Sequence, residues 1–164
     1  MKTLLVLRHG KSSWSDPTMA DFDRPLKKRG ERDAPRMGRL AADIGLVPDL
    51  IATSAAERAI RTAELFAAAA GFDGEMLVTE ELYAADPEQY ARVLRTHGDP
   101  SEVVMVVGHN PGLEALLEET SGKWQRMPTA ALAQIRLPIE SWSEFALPAP
   151  GSLVGLWRPK ELTE

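Results

Sequence analysis

Two runs in this chain are apolar at every position: Leu4-Leu5-Val6-Leu7 near the start and Val103-Val104-Met105-Val106-Val107 in the second half. A strand with one wet face alternates, so runs without alternation read as strands covered on both faces. Such strands belong in a mostly parallel sheet with helices packed against both sides, and that constrains the chain to an α/β fold. Both runs stop abruptly, the first at Arg8-His9-Gly10 and the second at Gly108-His109-Asn110-Pro111-Gly112. In open α/β sheets the carboxyl ends of parallel strands are where ligands bind. A guanidinium beside an imidazole at such an end suits an anion and offers a nucleophile. One histidine at a strand end is ordinarily loop packing; two in one small chain shift the balance to function.

The pattern between these runs is alternately helical and extended. Ala34, Met37, Leu40, Ala41 and Ile44 have helical spacing, closed by Gly45. Pro35 either sits in the first turn or interrupts a helix begun near Lys28. Asp49 to Thr53 reads as a second strand. Ser54 and Glu57 then have the spacing of a capping box for a helix carrying Ile60, Ala63, Ala67 and Ala70 and ending near Gly71. Arg58 and Arg61 fall in its first turns, where the macrodipole disfavours cations. Either an anion sits nearby, or these are surface charges paired with Glu57 or Glu64. Residues 75–78 read as a strand, 81–87 as a loop, and 88–96 as a helix closed by a structural His97. Asn110 can cap the following helix, with Pro111 at its first position. Residues 133–137 and 152–157 read as strands, with Trp142 and Phe145 as packing aromatics and 127–130 as a substrate-side loop. The polar loop from Lys11 to Asp23 leaves the strand-end site and can cover it, with Arg24 as a solvated charge or a strut.

Composition narrows the function. The 164 residues fit one domain, 1–164. A formal net charge of -5 argues against a nucleic-acid or membrane-surface binder, though not against a small basic pocket. With no cysteine, thiolate nucleophiles and cysteine-based zinc sites are excluded. The first apolar run is too short to span a membrane, and no small-residue cleavage site follows it. The expectation is a cytoplasmic monomer.

Taken together, Arg8-His9-Gly10, then Ser54 with Arg58 and Thr62, then Gly108-His109 resemble the histidine phosphatase superfamily, which includes the cofactor-dependent phosphoglycerate mutases. The short length resembles its small phosphohistidine phosphatase subgroup. So do Lys11-Ser12-Ser13-Trp14, Asp21-Phe22-Asp23-Arg24-Pro25-Leu26 and the Gly108 to Gly112 turn. The resemblance implies a three-layer α/β/α sandwich around a mostly parallel sheet with one antiparallel strand. It implies His9 as the nucleophile that becomes phosphorylated, and Arg8, Arg58 and His109 as the rest of the phosphate pocket, with Ser12 and Asn110 as further phosphate contacts. The residues alone leave open which histidine attacks. In larger members of this branch, an acid in a Leu-x-Glu context after the third strand protonates the leaving group. Here the stretch reads Leu82-Tyr83-Ala84, and nearby Glu81 and Asp86 do not match.

These parts suit a two-step reaction without cofactor or metal: in-line attack by a neutral His9, with a pKa near the ordinary 6.5, then hydrolysis of the phosphohistidine, while His109, cationic when phosphate is bound, stabilises the transferring group. The absent acid favours a P–N bond, hence phosphohistidine in a protein or a small phosphoramidate, because an imidazole leaves more easily than an alkoxide. The alternatives are a phosphatase of small phosphate esters using Asp86 or water, a non-catalytic phospho-ligand module, and a metal enzyme built on His9, His97 and His109.

Overall fold

The computed structural model describes residues 1–162. Six strands form one sheet: β1 (Lys2–Arg8), β2 (Leu50–Ser54), β3 (Glu75–Thr79), β4 (Val103–Gly108), β5 (Leu132–Leu137) and β6 (Ser152–Trp157). Their order is β3-β2-β4-β1-β5-β6. The first four strands in that order are mutually parallel, β5 runs antiparallel to β1, and β6 runs antiparallel to β5. One strand, β5, therefore opposes the rest.

The unalternating runs lie at the centre. Leu4 and Val6 of β1 and Val104 and Val106 of β4 point to one face, where they pack with helices α3 (Pro87–His97) and α4 (Gly112–Ser121) through Tyr90, Leu94, Leu113 and Leu117. Leu5, Leu7, Met105 and Val107 point to the other face and meet α1 (Lys28–Asp43) and α2 (Glu57–Ala70) through Met37, Ala41, Ala63 and Phe66. With a helix pair on each face, both faces of the central strands must be apolar, which is why no alternation appears. The result is the α/β/α sandwich.

Helix α1 begins at Lys28 and runs through Pro35 without ending. The proline deprives the Glu31 carbonyl of its helical donor, but Glu31 is exposed, so water can take that bond. Helix α2 departs from expectation. Ser54 is the last residue of β2, not a helix cap; the cap position is Ala56, with no side-chain bond. The Ser54 hydroxyl instead accepts from the Ala56 amide at 3.2 Å within the turn. Asn110 likewise does not cap α4. Pro111 occupies the cap position, and the Asn110 amide donates to the Met127 carbonyl at 2.8 Å. Asp86 does cap α3, in a reciprocal box with Gln89.

Register sets the position of the site. Arg8 stands opposite Gly108, and Thr53 opposite Val107, so β1, β4 and β2 end side by side. Gly108 is required there: a Cβ would lie 2.0 Å from the Tyr90 hydroxyl oxygen, which accepts the His109 amide N–H at 3.3 Å.

Candidate active site

His9 and His109 leave neighbouring strands, and their rings face each other with centroids 5.1 Å apart. Both are 7% exposed. Nδ1 of His9 lies 2.8 Å from the Gly10 carbonyl. A carbonyl only accepts, so Nδ1 carries the proton, and in the neutral ring the lone pair is on Nε2. The residues alone leave both histidines as candidate nucleophiles; this tautomer leaves His9 with a free lone pair aimed away from its anchor. Gly10 is itself held, its amide donating to the Thr62 hydroxyl at 3.0 Å, while that hydroxyl donates to the Arg58 carbonyl at 2.7 Å.

His109 is anchored through Nε2, 2.8 Å from Ser54 Oγ. Because Ser54 Oγ already accepts from Ala56, its own hydrogen is available to Nε2, which leaves Nδ1 as the protonated nitrogen of a neutral ring. That atom is buried and has no protein partner. Ser54 thus serves His109 rather than α2, which explains the lost helix cap.

Arg58 is 6% exposed although it sits in the first turn of α2. Asp21 explains it: Arg58 donates to the Asp21 carbonyl at 2.6 Å and to its carboxylate at 3.0 Å. The same carboxylate accepts from Arg24 at 2.8 Å and from the Tyr83 hydroxyl at 2.6 Å. These donors hold Asp21 well below the usual carboxylate range, the Tyr83 bond contributing most. Arg61, by contrast, is a surface residue facing Glu31 and Glu64. Arg24 is a strut: it donates to the Ser13 carbonyl at 3.0 Å and to the Ser12 hydroxyl, and Trp14 stacks on it at 3.2 Å. Tyr83 stands edge-on to His109 at 5.6 Å and locks Asp21.

A cavity of about 240 Å³ opens above these groups. Arg8, His9, Ser12, Arg58, His109 and Asn110 all line it, so the structure brings together all six side chains singled out from the sequence. No carboxylate among the described residues lines it. Glu81 is elsewhere, and Asp86 lines a separate groove of about 350 Å³ with His109 and Asn110, its carboxylate accepting the Gln89 amide. His97 is exposed and takes no part. Among the described residues no three His, Cys, Asp or Glu side chains could share a metal ion.

Among the described residues, the buried side-chain nitrogen and oxygen atoms without a partner are Arg8 Nε, Arg58 Nε, His109 Nδ1 and Asn110 Oδ1. All four belong to this pocket. Buried polar atoms are normally paired, and an orphan costs about 1–3 kcal/mol. Their concentration in one cavity, three of them on groups that donate to an oxoanion, marks a site completed by a ligand.

Electrostatics revises one expectation. Burial, aided by the nearby arginines, depresses His9 to about 3 rather than leaving it near 6.5. Burial and then Arg58 depress His109 to about 4, so in the empty site it is neutral at pH 7. Both folded values lie below the unfolded value of about 6.5, so as pH falls the unfolded chain takes up protons first. Stability is therefore unaffected by these groups above about pH 6.5 and falls below it, down to about pH 4 for His109 and about pH 3 for His9, by up to about 1.4 kcal/mol per pH unit for each ring. Urea midpoints at pH 7, 6 and 5 should decline in the wild type and decline less steeply in His109→Gln. A midpoint constant from pH 7 to 5 would contradict the buried, neutral pair.

Known proteins resemble this chain in sequence and in fold. Residues 4–91 match the model of the histidine phosphatase superfamily, branch 1. An uncharacterised chloroplast protein of Arabidopsis thaliana is 33% identical over 96% of this chain and 78% of its own length. Uncharacterised proteins of Mycobacterium tuberculosis are 33% identical over 94% of this chain and 100% of theirs. Among solved structures, the candidate phosphohistidine phosphatase SixA from Agrobacterium tumefaciens superposes with a TM-score of 0.82 at 30% identity, covering 96% of this chain and 98% of that one. A tungstate complex of the protein histidine phosphatase SixA shares the fold, with a TM-score of 0.83 at 22% identity over 98% of this chain and 99% of its own.

Proposed function

The chain belongs to the histidine phosphatase superfamily, and from that membership we propose that it is a metal-independent phosphatase, one domain over residues 1–164, that works through a phosphohistidine formed on His9. Its substrate is a phosphohistidine side chain of a protein or a small phosphoramidate. The observation that carries the reading is the set of four orphaned polar atoms around His9 in a cavity without a carboxylate.

In the first step the Nε2 lone pair of His9 attacks phosphorus in line, a P–Nε2 bond forms, and the bond to the leaving nitrogen breaks. Arg8 and Arg58 draw charge from the equatorial oxygens, and His109 donates from Nδ1 while Ser54 donates to its Nε2. Ser12 is engaged by Arg24 and contributes by shaping the loop. The leaving imidazole, protonated on its far nitrogen, departs neutral and needs no acid from the enzyme. In the second step water attacks the phosphohistidine, phosphate leaves and His9 is restored.

The test compares one peptide carrying phosphohistidine or phosphoserine, with EDTA present. The kcat/KM for phosphohistidine should exceed that for phosphoserine by about 10²-fold or more, since the ester forgoes general acid catalysis. EDTA should change neither rate. Equal turnover would move the reading to an ester phosphatase, which the shared groove of Asp86 and His109 would then serve, and Asp86→Asn would have to abolish it.

A further inference from the structure

A second cavity, of about 410 Å³, adjoins the transfer pocket and shares Arg8, Lys11 and Thr129 with it. One wall is a face of α1 carrying Arg29, Arg32 and Arg36; the others bring Arg126 from the segment before β5, and Arg158 and Lys160 from the end of β6 and the turn beyond it. Among the described residues, counting Arg8 and Lys11, eight cations line the cavity against two acids, Asp33 and Glu161. The chain has only 19 Lys and Arg and a net charge of -5, so eight in one concavity is a concentration that its overall charge does not predict.

The two acids are already engaged. Asp33, 4% exposed, holds Arg32 at 3.0 Å and Arg36 at 3.2 Å, and Glu161 holds Arg158 at 3.5 Å. Arg158 also donates twice to the Arg126 carbonyl, at 3.1 and 3.0 Å, which fixes its fork against the wall. Arg29 and Arg126 have no ion pair among the described residues, nor does Lys160. The cavity therefore holds positioned guanidinium groups together with uncompensated charge.

We propose that this cleft is a second anion site, taking the phosphate cluster of a small molecule that bears two or more phosphate groups, while Arg8 forms the wall shared with the transfer pocket. Three features select that ligand class. The volume is that of a small-molecule pocket, whose typical range is about 300–1,000 Å³. Six of the eight cations are arginines, whose planar forks match oxoanions. The excess charge also demands density: a phosphate brings about -1.5 to -2, so two or three groups match the cleft. Carboxylates on a protein surface bring only one charge each, so an acidic peptide would need several side chains converging in the same space. The inference does not depend on which bond His9 attacks, so it and the phosphohistidine reading can fail separately.

Calorimetry on the full chain at 150 mM salt tests it, with sodium tripolyphosphate as the probe. Tripolyphosphate should bind at least tenfold more tightly than orthophosphate. The exposed pair Arg29→Ala with Arg126→Ala should weaken tripolyphosphate tenfold or more while tungstate, a probe of the transfer pocket, stays within twofold. Tripolyphosphate binding no better than orthophosphate would overturn the proposal, as would an equal loss in a control with Arg92→Ala and Arg136→Ala, which lie outside the cleft. A polyglutamate peptide binding as tightly as tripolyphosphate would also overturn it, in favour of an acidic protein partner.

Discussion

Replacing His9 by alanine is expected to lower kcat for phosphohistidine hydrolysis by about 10⁴-fold or more, the scale seen when a covalent nucleophile is deleted. The expectation rests on one tautomer. With Nδ1 bound to the Gly10 carbonyl at 2.8 Å, Nε2 is the only nitrogen of the ring that can attack. Depression of His9 to about 3 keeps that lone pair free at neutral pH. Wild-type enzyme quenched during turnover with labelled substrate should carry acid-labile, base-stable phosphate on His9, and His9→Ala should carry none. His109→Ala separates the roles: it should slow formation of the label by about 10²–10³-fold, the scale of one lost charge-stabilising donor, yet still accumulate it on His9. Label appearing on His109 in the wild type would reverse the assignment.

How much of this was legible in the sequence depends on how far apart the interacting residues lie. The two central strands announced themselves because burial on both faces removes alternation, and their ends placed Arg8, His9 and His109 correctly in the fold. Arg58 was legible only as an oddity, a cation against the helix dipole. Its explanation, Asp21, lies 37 residues earlier in a loop. Tyr83, which fastens Asp21, lies 62 residues beyond it. Periodicity reports which face of an element is buried, but not which loops meet. Ser54 shows the same limit from the other side. Its spacing to Glu57 is that of a cap, yet a partner 55 residues away claims its hydroxyl, and the helix starts later. The basic cleft was illegible for both reasons. Its cations run from Arg8 to Lys160 and look like scattered solvated charges, and the net charge of -5 conceals them.

The Asp21 clasp leads to the second large effect. Both terminal nitrogens of Arg58 are committed to Asp21, and Nε is left buried without a partner. Asp21 therefore turns the guanidinium so that its Nε–H, together with the second hydrogen of each terminal nitrogen, is left for the ligand. Arg58→Ala should lower kcat/KM by about 10²–10³-fold, the usual cost of one preorganised charge-stabilising donor. Arg58→Lys should recover little, because an ammonium has no fork with which to hold both Asp21 oxygens and still reach the phosphate. Guanidinium chloride at millimolar concentration should restore part of the Arg58→Ala activity and none of the Arg58→Lys activity, which distinguishes a vacant cation site from a misfolded protein. Asp21→Asn keeps the backbone carbonyl that accepts from Arg58 but loses the charge that orients Arg24, Arg58 and Tyr83. Its effect should fall on kcat, by about tenfold, with KM unchanged or lower, because a carboxylate near the phosphate opposes ground-state binding of an anion. A rise in KM at constant kcat would make Asp21 part of substrate binding, and wild-type kinetics in Asp21→Asn would leave the orientation of Arg58 to the helix alone.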